Sequence, residues 1–133
     1  KGCHNPITWN PEGGLEFDEA ARNEIFVELD KDYVSGITFS GGDPLHPANV
    51  QGITELAAMI RQIYPHKTIW LYTGYEWNEV RYLDIVQYVD VLVDGKFVQA
   101  LYNPSLKFRG SSNQRIIDVQ KSLKENKVVI YTE

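Results

Sequence analysis

Val34-Ser35-Gly36-Ile37-Thr38-Phe39-Ser40-Gly41-Gly42-Asp43-Pro44 is the stretch on which the fold turns. Its first six residues favour a strand over 34–39, being rich in β-branched and aromatic side chains, and they run straight into a glycine turn. Val50, Ile53, Leu56, Ala57, Ile60 and Ile63 then recur at helical spacing, which predicts a helix over 48–63 closed by Pro65. Lys67-Thr68-Ile69-Trp70-Leu71-Tyr72 reads as the next strand. Strand, helix and strand in that order make a parallel βαβ unit, because a parallel pair needs a crossover long enough to hold a helix.

The same alternation extends outward. Residues 17–29 suit a helix with Asp18 as its N-cap, and 77–86 suit a shorter one. A strand over 89–93 enters Asp94-Gly95-Lys96-Phe97; 98–113 read as irregular, 114–124 as helical and 127–131 as a last strand. Pro6, Pro11, Gly13 and Gly14 give residues 1–16 the composition of a loop. The fold class is therefore α/β, with a mostly parallel sheet, flanking helices and one domain over 1–133. The near-continuous apolar strands suit a sheet covered on both faces.

At 133 residues, 43% hydrophobic and 23% charged, the chain has enough apolar sequence to build a core. A net charge of −5 offers no attraction to nucleic acid or anionic lipid, and no apolar run reaches the length of a membrane span. Cys3 is the one cysteine, which excludes a disulfide scaffold and any metal site built from several cysteines of this chain. His46 and His66 have no second histidine at ligand spacing, and His4 matters only if something binds the neighbouring Cys3.

Ligands of parallel α/β folds bind beyond the carboxyl ends of the strands. Three strands here end in Ser40-Gly41-Gly42-Asp43-Pro44, Thr73-Gly74-Tyr75 and Asp94-Gly95-Lys96, all predicted to open onto one rim. Gly41 and Gly42 let backbone approach a ligand, and Asp43 could receive an ammonium group; the same residues equally suit a plain strand-to-helix turn. If the strand continues past Asp94, Asp94 and Lys96 share a side and could hold a zwitterion, although taken alone they better suit a solvated Asp-Gly turn with a surface lysine. Arg109-Gly110-Ser111-Ser112-Asn113-Gln114 is dense in hydrogen-bonding groups; capping of a helix starting near Gln114 by a Ser or Asn is favoured, the alternative being that Arg109 and the exposed N–H groups bind an anion or a partner peptide, with Arg109 itself undecided. Trp70, Tyr72, Tyr75, Trp77 and Phe97 cluster near strand ends as core residues, any one of which could stack on a planar ligand.

Taken together and in order, these segments closely resemble the activating enzymes of anaerobic (class III) ribonucleotide reductase, which are radical S-adenosylmethionine (SAM) enzymes. The resemblance is carried by Ser40-Gly41-Gly42-Asp43-Pro44-Leu45-His46-Pro47, Val93-Asp94-Gly95-Lys96-Phe97-Val98 and Arg109-Gly110-Ser111-Ser112-Asn113-Gln114. Asn5, Thr8, Trp9 and Trp70-Leu71-Tyr72-Thr73-Gly74-Tyr75 fit the same pattern.

The resemblance implies a partial (β/α) barrel and a [4Fe–4S] cluster held by a C-x-x-x-C-x-x-C motif. That cluster cleaves SAM reductively, and the resulting 5′-deoxyadenosyl radical takes a hydrogen atom from a glycine of the reductase. Cys3 would be the third cluster cysteine, Gly41, Gly42 and Asp43 would bind the SAM amino group, and Thr73, Asp94 and Lys96 would line the SAM pocket. The implied partners are the reductase large subunit and an electron donor such as flavodoxin, in an anaerobic cytoplasm.

With two cysteines and a first strand lacking, and with Lys1-Gly2-Cys3-His4 at its start, the chain reads as an N-terminally truncated member. It is expected to be inactive alone, to hold no cluster, and to expose a sheet edge open to self-association. Two other readings stand beside this one. The first is an activase of another glycyl radical enzyme such as pyruvate formate-lyase; the second is a non-catalytic α/β module for a small ligand.

Overall fold

The computed structural model of the chain describes residues 6–9, 19–32, 34–40, 44–47, 49–96, 98–105, 109 and 111–131, with 6–9 and 19–22 described as backbone. Five strands form one sheet in the order of the chain: β1 (Pro6–Trp9), β2 (Gly36–Phe39), β3 (Thr68–Tyr72), β4 (Val91–Asp94) and β5 (Arg115–Asp118). The first four are parallel, and β5 runs antiparallel to β4. Four α-helices accompany them: α1 (Glu19–Leu29), α2 (Val50–Ile63), α3 (Trp77–Val80) and α4 (Val119–Glu125).

The register assigns each strand residue to a face. Phe39, Leu71, Leu92 and Ile117 lie in one row across the sheet, with Ile37 and Ile69 in another on the same face. All six are fully buried, and they share one core cluster with Ile25 and Leu29 of α1, four residues of α2, Trp77 and Val80 of α3, and Val119 of α4. Among the described residues, all four α-helices thus contribute to the core on this face of the sheet. Ile53, Leu56, Ala57 and Ile60 are the α2 contribution, at the i, i+3, i+4, i+7 spacing of an inward stripe. Ile63 departs from the expected stripe: it is 55% exposed at the end of the helix.

The opposite face carries Trp70, Val91 and Val93, buried but outside that cluster. Tyr131 stands edge-on against Trp70, with ring centroids 5.3 Å apart. Near the amino ends of β3 and β4, Arg61 of α2 donates to the Asp90 carboxylate at 2.8 Å and to the Tyr88 carbonyl at 2.7 Å. Asp90 also accepts the Ile69 amide, so one side chain ties α2, β3 and the entry to β4 together.

Four expectations are corrected. Residues 6–9, expected in a loop, form β1; Pro6 is tolerated because it opens an end strand, and Ile7, Thr8 and Trp9 are good strand formers. The helix expected over 77–86 is the single turn of α3 followed by a 3-10 helix, Asp84–Tyr88. The helix expected over 114–124 begins only at Val119, because Arg115-Ile116-Ile117-Asp118 pairs with β4 instead. Short apolar runs carry no period that separates the two states, and the free edge of β4 decides it. Residues 127–131 make one antiparallel bridge, Ile117 to Ile130, rather than a strand. Two flanking backbone hydrogen bonds, Asp118 to Val129 and Tyr131 to Ile116, still lay that tail along β5.

Candidate functional site

The parallel register brings the carboxyl ends of β2, β3 and β4 to one rim, as expected from their order. Cys3, His4, Asn5, Asp18, Gly41, Gly42, Asp43, Phe97 and Gly110 lie outside the described residues. Thr73, Asp94 and Lys96 are within them. Thr73 is buried at the end of β3; its amide donates to the Val93 carbonyl, and its hydroxyl accepts the Tyr75 amide at 3.2 Å, which starts the Thr73-Gly74-Tyr75 turn. The Tyr75 carbonyl in turn accepts the Gly95 amide at 2.9 Å. The ends of β3 and β4 are therefore stitched together.

Asp94 is 1% exposed, and its carboxylate is fully engaged by the chain itself. Oδ2 accepts the Trp77 amide at 2.9 Å and Arg115 Nη2 at 2.7 Å. Oδ1 accepts Arg115 Nε at 3.2 Å and the Arg115 amide at 3.3 Å. A two-pronged guanidinium is the donor set that suits a buried carboxylate. The hydrogen bond to Asp94 raises the Arg115 pKa, its partial burial opposing. Burial alone pushes the Tyr72 phenol up, one residue from Thr73.

The strand does not continue past Asp94. Gly95 takes φ +94°, in the region that favours glycine, and Lys96 leaves the turn exposed. Asp94 and Lys96 consequently do not share a strand face: one is an internal anchor, the other presents its ammonium to solvent with no partner among the described residues.

Asn113 and Gln114 hold this turn, and Ser111 and Arg109 brace them. Gln114 Nε2 donates to the Gly95 carbonyl at 3.0 Å, and Asn113 Nδ2 donates to the Lys96 carbonyl at 2.8 Å. Ser111 accepts the Val98 amide at 3.1 Å and donates to Asn113 Oδ1 at 2.6 Å. Its own amide donates to Gln114 Oε1. Arg109 donates to the Gln114 carbonyl at 2.6 Å. These residues do not cap a helix as expected, since α4 is capped by the Asp118 carboxylate, which accepts the Lys121 amide. Arg115 is the residue the sequence reading missed. The available signal was a carboxylate at the end of the apolar run Val91-Leu92-Val93, which must find a cation or several donors if buried.

A family model described as a 4Fe-4S single cluster domain matches residues 1–117. Over 117 residues the chain is 46% identical to the anaerobic ribonucleoside-triphosphate reductase-activating protein of Escherichia coli strain K12, a match covering 85% of this chain and 76% of the relative. The chain belongs to this family of activating proteins. The activating protein of Enterobacteria phage T4 is 40% identical over 116 residues (87% of this chain, 74% of the relative). That of Haemophilus influenzae is 40% identical over 120 residues (87% and 77%). No solved structure matches the chain.

A [4Fe–4S] cluster with one open iron takes three thiolates. The chain has one cysteine, and among the described residues no group of three or more His, Cys, Asp or Glu side chains could hold a metal ion. The residues present do not by themselves fit the cluster. The exposed Lys96 ammonium is a charge suited to a carboxylate, and the backbone carbonyls of Lys96 and Gly95 are held by the Asn113 and Gln114 side chains.

Proposed function

We propose that this chain is the radical SAM domain, over 1–133, of an activating enzyme for anaerobic ribonucleotide reductase. The enzyme generates a glycyl radical on the reductase by reductive cleavage of SAM at a [4Fe–4S] cluster, an oxidoreductase chemistry that the cluster supplies when bound. The identity of 46% to a reductase-activating protein is the observation that carries this reading. Four parallel strands in chain order, with the four α-helices of the described residues contributing to the core on one face, support a partial (β/α) barrel, because successive crossovers of one hand wind a sheet in that way.

In this reading Cys3 supplies the third thiolate, and Gly41, Gly42 and Asp43 receive the SAM amino group. Thr73 and Lys96 line the rest of the pocket; Lys96 offers its charge to the SAM carboxylate. Asp94 serves the pocket by holding its wall, since its four acceptor contacts are already filled from within the chain. The electron donor is a small redox protein such as flavodoxin, and the setting is the anaerobic cytoplasm. Among the described residues no helix is long and apolar enough to cross a membrane.

The test is product analysis. The complete reading frame containing this chain, expressed and reconstituted anaerobically with iron and sulfide, is expected to convert SAM to methionine and 5′-deoxyadenosine when reduced. The 133-residue chain treated identically is expected to form neither product, having one cluster cysteine. Absence of both products from the reconstituted complete protein contradicts the proposal.

A further inference from the structure

We infer that Asn113 and Gln114 are positioning residues: their side-chain amides fix the carbonyls of Lys96 and Gly95, and so set where the Lys96 ammonium stands at the rim. The inference rests on the reading of that rim as the SAM site. Gly95 is the pivot. At φ +94° it turns the chain out of β4, and nothing in a glycine's own torsional preference selects that conformation from its alternatives. The selection comes from outside the turn. The Gly95 amide is held by the Tyr75 carbonyl and its carbonyl by Gln114, while the Lys96 carbonyl is held by Asn113.

Each amide is itself oriented. Asn113 Oδ1 accepts the Ser111 hydroxyl and Gln114 Oε1 accepts the Ser111 amide, so both NH2 groups point at the turn. Ser111 meanwhile accepts the Val98 amide, closing the far side of the loop. The whole arrangement is anchored next door, where Arg115 grips Asp94. A side chain as long as lysine carries about 2 kcal/mol of rotamer entropy, so fixing its backbone removes only part of its freedom. It is that part which decides whether the ammonium can reach a bound carboxylate.

Asn113→Asp and Gln114→Glu test this with little change of shape. Each keeps the acceptor that Ser111 uses and loses the donor that holds the turn. In the 133-residue chain, amide hydrogen exchange at Gly95 and Val98 is expected to quicken in both variants, while β2 and β3 amides stay protected. SAM binding, read by titration calorimetry, is expected to weaken about tenfold in each, the loss of roughly one hydrogen bond's positioning. In a Lys96→Ala background the same two substitutions are expected to change SAM affinity less than twofold, because they act through Lys96.

Unchanged exchange at Gly95 overturns the inference. So does an equal loss of affinity with and without Lys96, which would mark Asn113 and Gln114 as merely structural. An unaltered chain that binds no SAM overturns it too, and locates the failure in the rim reading when the exchange result still holds.

Discussion

Asp94→Ala is expected to destabilise the chain by about 3 kcal/mol, the scale of breaking a buried ion pair by removing one partner. The carboxylate is 1% exposed and gathers four donors: Trp77 N, Arg115 N, Arg115 Nε and Arg115 Nη2. Alanine leaves the Trp77 amide at the start of α3 without an acceptor, at about 1–3 kcal/mol for a buried polar group. The guanidinium loss is smaller than for a fully buried pair, because the Arg115 side chain is 40% exposed and regains water. Urea unfolding monitored by tryptophan fluorescence measures the difference. A change below about 1 kcal/mol contradicts the role given to Asp94 as the anchor joining α3, β4 and β5.

Gly36→Ala is expected to be comparably damaging for a different reason. A Cβ built on Gly36 would stand 2.0 Å from the Thr68 carbonyl oxygen and 2.7 Å from the Thr68 amide nitrogen. Both are backbone atoms of β3, in direct register with Gly36, so no side chain can swing aside. The strands must separate locally at the start of the pairing that sets the register of the rim. Overpacking of this kind costs about 3 kcal/mol at the upper end of its usual range, or a Tm lowered by about 10 °C. Calorimetric melting of the variant within a degree or two of the parent would show that β2 and β3 do not approach so closely.

The sequence made the βαβ frame legible because its signals are long. The four inward residues of α2 repeat over two turns, and Thr68–Tyr72 stands between Pro65 and Gly74. The rim was legible for the same reason, since three strands are each followed in the sequence by a glycine. What stayed hidden depends on partners distant in the chain. Arg115-Ile116-Ile117-Asp118 has four residues and no resolvable period; only the edge of β4 makes it a strand. The capping role expected of Ser111–Gln114 was reasonable for that composition, yet the carbonyls they serve lie 17 to 19 residues earlier, at Lys96 and Gly95. The left-handed turn at Gly95 also separates Asp94 from Lys96, which leaves Asp94 as an internal anchor and Lys96 exposed rather than the two on one strand face.

Electron paramagnetic resonance of the reductase is the most direct test of the account. The complete reading frame's product, reconstituted with iron and sulfide and supplied with SAM and a reductant, is mixed anaerobically with the large subunit of an anaerobic ribonucleotide reductase. The doublet of a glycyl radical is expected on the reductase, dependent on SAM and lost when the radical-bearing glycine is replaced by alanine. A signal on pyruvate formate-lyase but none on the reductase, or none on either, would contradict it.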